Sequence, residues 1–135
     1  MLEKFGAAYL DTGESKGLVP DDHPSVVAAM RGSVMGQSDL VITLGRRLDF
    51  QLAFGSPAVF GDARFLRIAD NPSELRDNRR GAVEVCADVG LTLQAILDAA
   101  PATPPASDAT WLAGLREQHQ QRSAKLAQSM AQAPA

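Results

Sequence analysis

The run Leu40-Val41-Ile42-Thr43-Leu44 constrains this chain most. It is apolar on both faces instead of alternating, the pattern of a strand covered on both sides in a parallel sheet. Three further runs read as strands, at residues 8–11, 65–69 and 83–87, each bounded by Gly, Pro, Asn or Asp. Residues 24–37 between the first two runs read as a helix. Pro24 suits its first turn, and Val27, Met30 and Val34 fall at helical spacing. Strand, helix and strand in that order form a right-handed βαβ unit, so the fold class is α/β with a parallel sheet and flanking helices. Gly32 and Gly36 lie four apart on the predicted helix and share one face, which reads as close packing. A second helix is expected over residues 90–99, with Leu91, Leu93, Ile96 and Leu97 on its apolar face and Pro101 beyond its end.

At 135 residues with 45% hydrophobic and 21% charged side chains, the chain has the composition of a single globular domain. Aromatics are only 5%, so the core must come mostly from Ala, Leu, Val and Ile. A net charge of −3 gives no electrostatic reason to bind nucleic acid, and Arg46-Arg47 and Arg79-Arg80 are isolated pairs. No apolar stretch approaches the ~20 residues that span a bilayer, and Leu2-Glu3-Lys4 is no start for a secretory signal. No nucleic acid, no membrane and a cytoplasmic location are the expectations. The single cysteine, Cys86, ends an apolar run and reads as a buried small hydrophobe. His23, before a proline, reads as a capping or surface residue, and His119 as solvated; the two are too far apart to suggest a metal site.

Residues 101–107 carry two adjacent prolines among small residues and read as a linker between a domain over 1–100 and a tail over 108–135. Asp108 can cap a long polar helix reaching about Gln132. That helix has few apolar residues and is expected to leave Trp111 and Leu115 exposed.

The chemistry search is mostly negative. Gly-x-Gly-x-x-Gly, the phosphate-binding Gly-x-x-x-x-Gly-Lys-Ser/Thr loop and Gly-x-Ser-x-Gly are all absent, and no Ser, His and Asp pattern assembles a nucleophile. What remain are loops at the ends of predicted strands, where open α/β sheets place ligands. They are Thr12 to Gly17, Gly45 to Asp49, and Asp70-Asn71. They read either as a crevice with a basic residue for a phosphate and a carboxylate for a ribose, or as turn residues with solvated charges.

Four segments carry a resemblance, in order and with fitting spacing: Lys16-Gly17-Leu18-Val19-Pro20-Asp21-Asp22-His23-Pro24, Ser38 to Leu48, Arg67 to Leu75, and Ala87-Asp88. Over about residues 5–100 the chain resembles the central domain of thiamine-diphosphate-dependent enzymes of the acetolactate synthase type. The resemblance implies a Rossmann-like spacer between two domains that bind thiamine diphosphate and Mg²⁺, with FAD or ADP bound by the central domain in some members. It further implies that the first strand, its Gly-rich turn and its helix are missing, and that the long C-terminal helix connects to the last catalytic domain. The activating glutamate and the Gly-Asp-Gly motif belong to the other domains, and Gly61-Asp62-Ala63 is the nearest approach to that motif here. Where many members read Ile-Asp-Ile-Asp-Pro, this chain reads Ile68-Ala69-Asp70-Asn71-Pro72, which in an extended strand moves the aspartate to the opposite face. Gly45, Arg46 and Asp70 are the positions carried over as a nucleotide crevice, and none as catalytic or metal-binding.

The expected function is thus the central domain of such an enzyme acting on 2-keto acids, inactive alone and completed by the missing thiamine-diphosphate-binding domains or by self-association. It would be a split subunit, a fragment or a truncated product. The alternative is a stand-alone nucleotide-binding or regulatory module.

Overall fold

The computed structural model describes residues 1–106 and 108–134, apart from the side chain of Glu14. Ser107, the last residue of the expected linker, and the terminal Ala135 lie outside the described residues. The chain forms two compact units, Met1–Val34 with Thr103–Ala135, and Met35–Ala102.

The second unit is built on a parallel sheet of β1 (Leu40–Leu44), β2 (Arg64–Ala69) and β3 (Val83–Cys86), in that spatial order. The register pairs Leu40 with Arg64 and Leu44 with Ile68, then Leu66 with Val83 and Ala69 with Cys86, so the three strands end together. β2 alone has a neighbour on each side, and four of its six residues are buried. Phe65 and Arg67 share one face with Val41 and Thr43, because side chains alternate along a strand. Below that face Leu48, Leu52, Phe60, Ala63 and Phe65 form the core, with Val41, Val59 and Met35 packed against it. Phe60 meets Phe65 edge-on with ring centroids 5.3 Å apart, and the Arg79 guanidinium lies 4.8 Å over the Phe65 ring.

The connections are defined by caps. Ser56 accepts from the Ala58 N–H, and Pro57 opens the short α3 (Pro57–Phe60). Asn71 caps the turn Pro72–Leu75, and Asp88 caps α4 (Val89–Ala99) through the Leu91 N–H. α4 packs against β2.

In the first unit, α5 (Ala109–Gln132) is capped by Asp108 through the Thr110 N–H, as the sequence predicts. Its Leu115 joins Val27, Met30 and Val34 in a core that also takes Ala8, Leu10 and Trp111. α1 (Leu2–Phe5) closes on Gly6, and the helical turn Ala28–Met30 leads into α2 (Arg31–Gln37).

Six expectations need correction. Residues 8–11 contribute one bridge, Tyr9 to Val26, instead of a strand. The helix read from Pro24 begins only at Ala28, because the Tyr9 N–H bonds the Ser25 carbonyl and holds Ser25 and Val26 extended. β1 is not covered on both faces: Leu40 and Leu44, on one face of the strand, are 51% and 41% exposed. Cys86 is exposed, since it ends the short outer strand β3. Leu115 is 3% exposed and Trp111 half-buried, because one stripe of α5 finds the Val27, Met30 and Val34 side chains. His119 lies on that same helix, half-buried, with Nδ1 accepting from the Ala29 N–H at 3.1 Å. His23 agrees with its reading as a cap: Nδ1 accepts from the Ser25 N–H, and Nε2 faces Glu3.

Truncating Leu115 to Ala should lower stability by about 2–5 kcal/mol, the cost of a buried leucine in a packed site. Leu126, 63% exposed on the same helix, should cost less than about 0.5 kcal/mol when truncated. Urea unfolding followed by Trp111 fluorescence compares the two.

Candidate functional site

The common C-terminal end of the strands brings two of the expected segments together. Gly45 follows β1 and donates its N–H to the Ile68 carbonyl at 2.8 Å, while Asp70 follows β2 two residues later. Gly45 has φ +57°, a left-handed conformation that glycine adopts without cost. Asp70 is exposed, and Cys86 Sγ lies 3.8 Å from its carbonyl oxygen. Asn71 is committed as a cap, accepting from the Ser73 N–H. The Thr12–Gly17 turn belongs to the first unit, where Ser15 Oγ and the Thr12 backbone close a local ring of hydrogen bonds.

Arg46 is held in place by its neighbours. Its Nη atoms donate to both Asp49 carboxylate oxygens at 3.2 and 3.3 Å, and Nη2 also reaches Gln51 Oε1 at 2.6 Å. Its Nε is buried and has no hydrogen-bond partner. Arg47 donates to Ser73 Oγ at 3.1 Å, linking the loop after β1 to the turn after β2. Beyond Asp49 the backbone turns sharply. Ala53 and Phe54 take positive φ of 48° and 54°, and Gly55 follows at 69°. Two consecutive non-glycine residues there are strained, by about 1–2 kcal/mol each. Gly55 admits no substitute: a Cβ would lie 2.6 Å from Arg79 Cβ. Arg79 secures this bend by donating to the Gly55 and Ala63 carbonyls at 3.0 and 2.8 Å.

The residue that organises this edge was not among the sequence candidates. Arg67, in the middle of β2, is fully buried. Its Nε donates to Thr43 Oγ1 at 3.0 Å. Nη1 donates to Asp77 Oδ1 and to the Arg79 carbonyl at 2.7 Å. Nη2 donates to the carbonyls of Arg46 at 3.0 Å and Glu74 at 2.8 Å, and to Asp77 Oδ2 at 3.1 Å. A charge inside the apolar run Phe65 to Ala69 is the sequence signal that marks it. Asp77 also accepts from the Leu48 N–H at 2.6 Å. Burial pushes the Asp77 carboxyl up, but the Arg67 and Leu48 hydrogen bonds and the Arg67 charge outweigh it and hold the group below its ordinary value.

A thiamine pyrophosphate enzyme central-domain family model matches residues 1–96. The chain belongs to that family. Its relatives include 2-hydroxyacyl-CoA lyase 1 of Mus musculus, 32% identical over 120 residues, which are 87% of this chain and 21% of that protein. Oxalyl-CoA decarboxylase of Escherichia coli K12 is 31% identical over 96 residues, 71% of this chain and 17% of the relative. The acetolactate synthase large subunit of Mycobacterium tuberculosis is 31% identical over 97 residues, again 71% and 17%. The chain therefore spans about a fifth of the length of the curated relatives it matches. Among the described residues no three His, Cys, Asp or Glu side chains gather in a way that could hold a metal ion. No helix of the described residues is long and apolar enough to cross a membrane.

Replacing Arg67 by Met should destabilise the second unit by about 3–5 kcal/mol, because it strands the half-buried Asp77 carboxylate and several carbonyls. Asp77→Asn keeps an acceptor and should cost about 1–3 kcal/mol. Since folding lowers the Asp77 value from 3.8, its stabilisation is present above that pH and lost as pH falls through the folded value. Urea midpoints measured from neutral pH into the acid range should therefore fall less steeply in the Asn variant.

Proposed function

We propose that this chain serves as the non-catalytic central domain of a thiamine-diphosphate-dependent lyase or synthase acting on 2-keto acid or acyl-CoA substrates. In that reading the flanking domains are its partners and carry thiamine diphosphate and Mg²⁺, and this domain spaces and orients them. The names of the relatives support the substrate class, since lyase, decarboxylase and acetolactate synthase all share this central domain. Supplying the flanking domains of one such relative should restore activity to a mixture containing this chain. A folded, associated mixture that stays inactive would count against the reading.

We further propose that Gly45, Arg46 and Asp70 take the nucleotide portion of a ligand such as ADP or coenzyme A. The observation that carries the proposal is the buried, unpartnered Arg46 Nε beside two strand ends. A phosphate there would add an acceptor for that N–H and compete with Asp49 for the guanidinium, while exposed Asp70 is free to accept from ribose hydroxyls. Calorimetric titration with ADP and with coenzyme A should show saturable binding, weakened about tenfold or more by Arg46→Ala, a loss of at least about 1.4 kcal/mol. Asp70→Asn should weaken binding less. A flat titration of the folded chain at millimolar ligand would leave the domain a purely structural spacer.

A further inference from the structure

The helical segment that starts at Ala28 lacks a cap of its own. Val27 occupies the capping position and has no side-chain acceptor. The first N–H groups of a helix need partners from outside it, and one comes from a residue 90 positions away: His119 Nδ1 accepts from the Ala29 N–H. Two guanidinium groups of α5 bracket that contact. Arg116 donates to the carbonyls of Val26 at 2.9 Å and Asp22 at 3.0 Å, and Arg122 to that of Ala29 at 3.2 Å. These bonds run along the stripe that also carries Trp111 and Leu115 into the core.

An imidazole that accepts at Nδ1 is neutral and carries its proton on Nε2. A second proton can go only to Nδ1, where it would turn an acceptor into a donor facing the Ala29 N–H. It would also place a positive charge at a helix start, where the backbone dipole is already positive, between Arg116 and Arg122, three residues away on either side. The opposing charge is Asp21, on the turn before Pro24; Val27 and the Ala28–Met30 turn bring no titratable group.

We propose that His119 is an acid-sensitive latch: in its neutral form it caps the Ala28 helix from α5 and holds the two together, and protonation at Nδ1 withdraws the cap and releases α5. Burial and the Arg116 charge both lower the His119 value from 6.5, with Asp21 opposing them. The latch is thus closed above that pH and opens as pH falls through the lower folded value.

Trp111 is the only tryptophan and packs in the core that α5 completes, so its emission reports docking. In the full chain, lowering pH from about 8 to about 5 should shift Trp111 emission to the red. His119→Asn, which keeps an acceptor but cannot titrate, should stay docked and lose the shift. His119→Ala should be red-shifted throughout the range, and His23→Gln should behave as the unmodified chain does. If the Asn variant does not fold, ¹⁵N NMR of the unmodified chain decides: the neutral ring should be the Nε2–H form and titrate below 6.5. Emission that stays flat over the range, an Asn variant with the unmodified midpoint, or a His119 ring that titrates at or above its ordinary value would each overturn the latch.

Discussion

The second unit depends on one buried cation. Arg67 has no water to solvate it, so the loop after β1 and the segment joining β2 to β3 must both bring it acceptors. Thr43 does so from β1, the Arg46 carbonyl from the loop after β1, and Glu74, Asp77 and the Arg79 carbonyl from the segment joining β2 to β3. The guanidinium fork thereby sets where Arg46 starts its turn, and Asp77 in turn positions the Leu48 N–H above the core. A lysine could not replace it, because a point charge with three donors cannot reach acceptors spread around a plane.

The first unit solves a different problem. Its segments before α2 form little regular structure: a short α1, one backbone bridge and two helical turns, of which the one at Ala28–Met30 lacks a cap of its own. α5 supplies from far along the chain what these segments lack, covering Val27, Met30 and Val34 with Leu115 and completing the Ala28 helix with His119 and Arg122. The same helix is exposed at Leu126 and Met130, so its docking rests on its first half.

Membership in the thiamine pyrophosphate enzyme central-domain family fits this division of physical roles. The chain has a well-connected sheet edge, where Arg47 ties the loop after β1 to the turn after β2. The strain at Ala53 and Phe54 lies next to that edge, held by Arg79, so the loop after β1 keeps one shape instead of sampling several.

Much of the architecture was legible because it rests on local chemistry. The three strands of the sheet, α4 and the start of α5 at Asp108 all follow from apolar runs and from aspartates placed to accept backbone N–H groups. So did Gly45 and Asp70, since they stand where apolar runs end, and the family itself, which four ordered segments indicated. Burial was not legible. Cys86 and Leu44 are core residues by type yet exposed, and Leu115, Trp111 and His119 sit on a polar helix yet pack inward, because exposure depends on which surface another part of the chain brings to each. Arg67 carries no local signal of its role for the same reason, as its acceptors come from β1 and two connecting segments that no local pattern links. By itself the sequence determined the three strands of the sheet, their parallel α/β arrangement and the starts of α4 and α5, which need only neighbours within a few residues. The tertiary structure alone decided which polar groups are buried and paired, because a buried charge or an uncapped N–H is satisfied by groups that only folding brings within hydrogen-bonding distance.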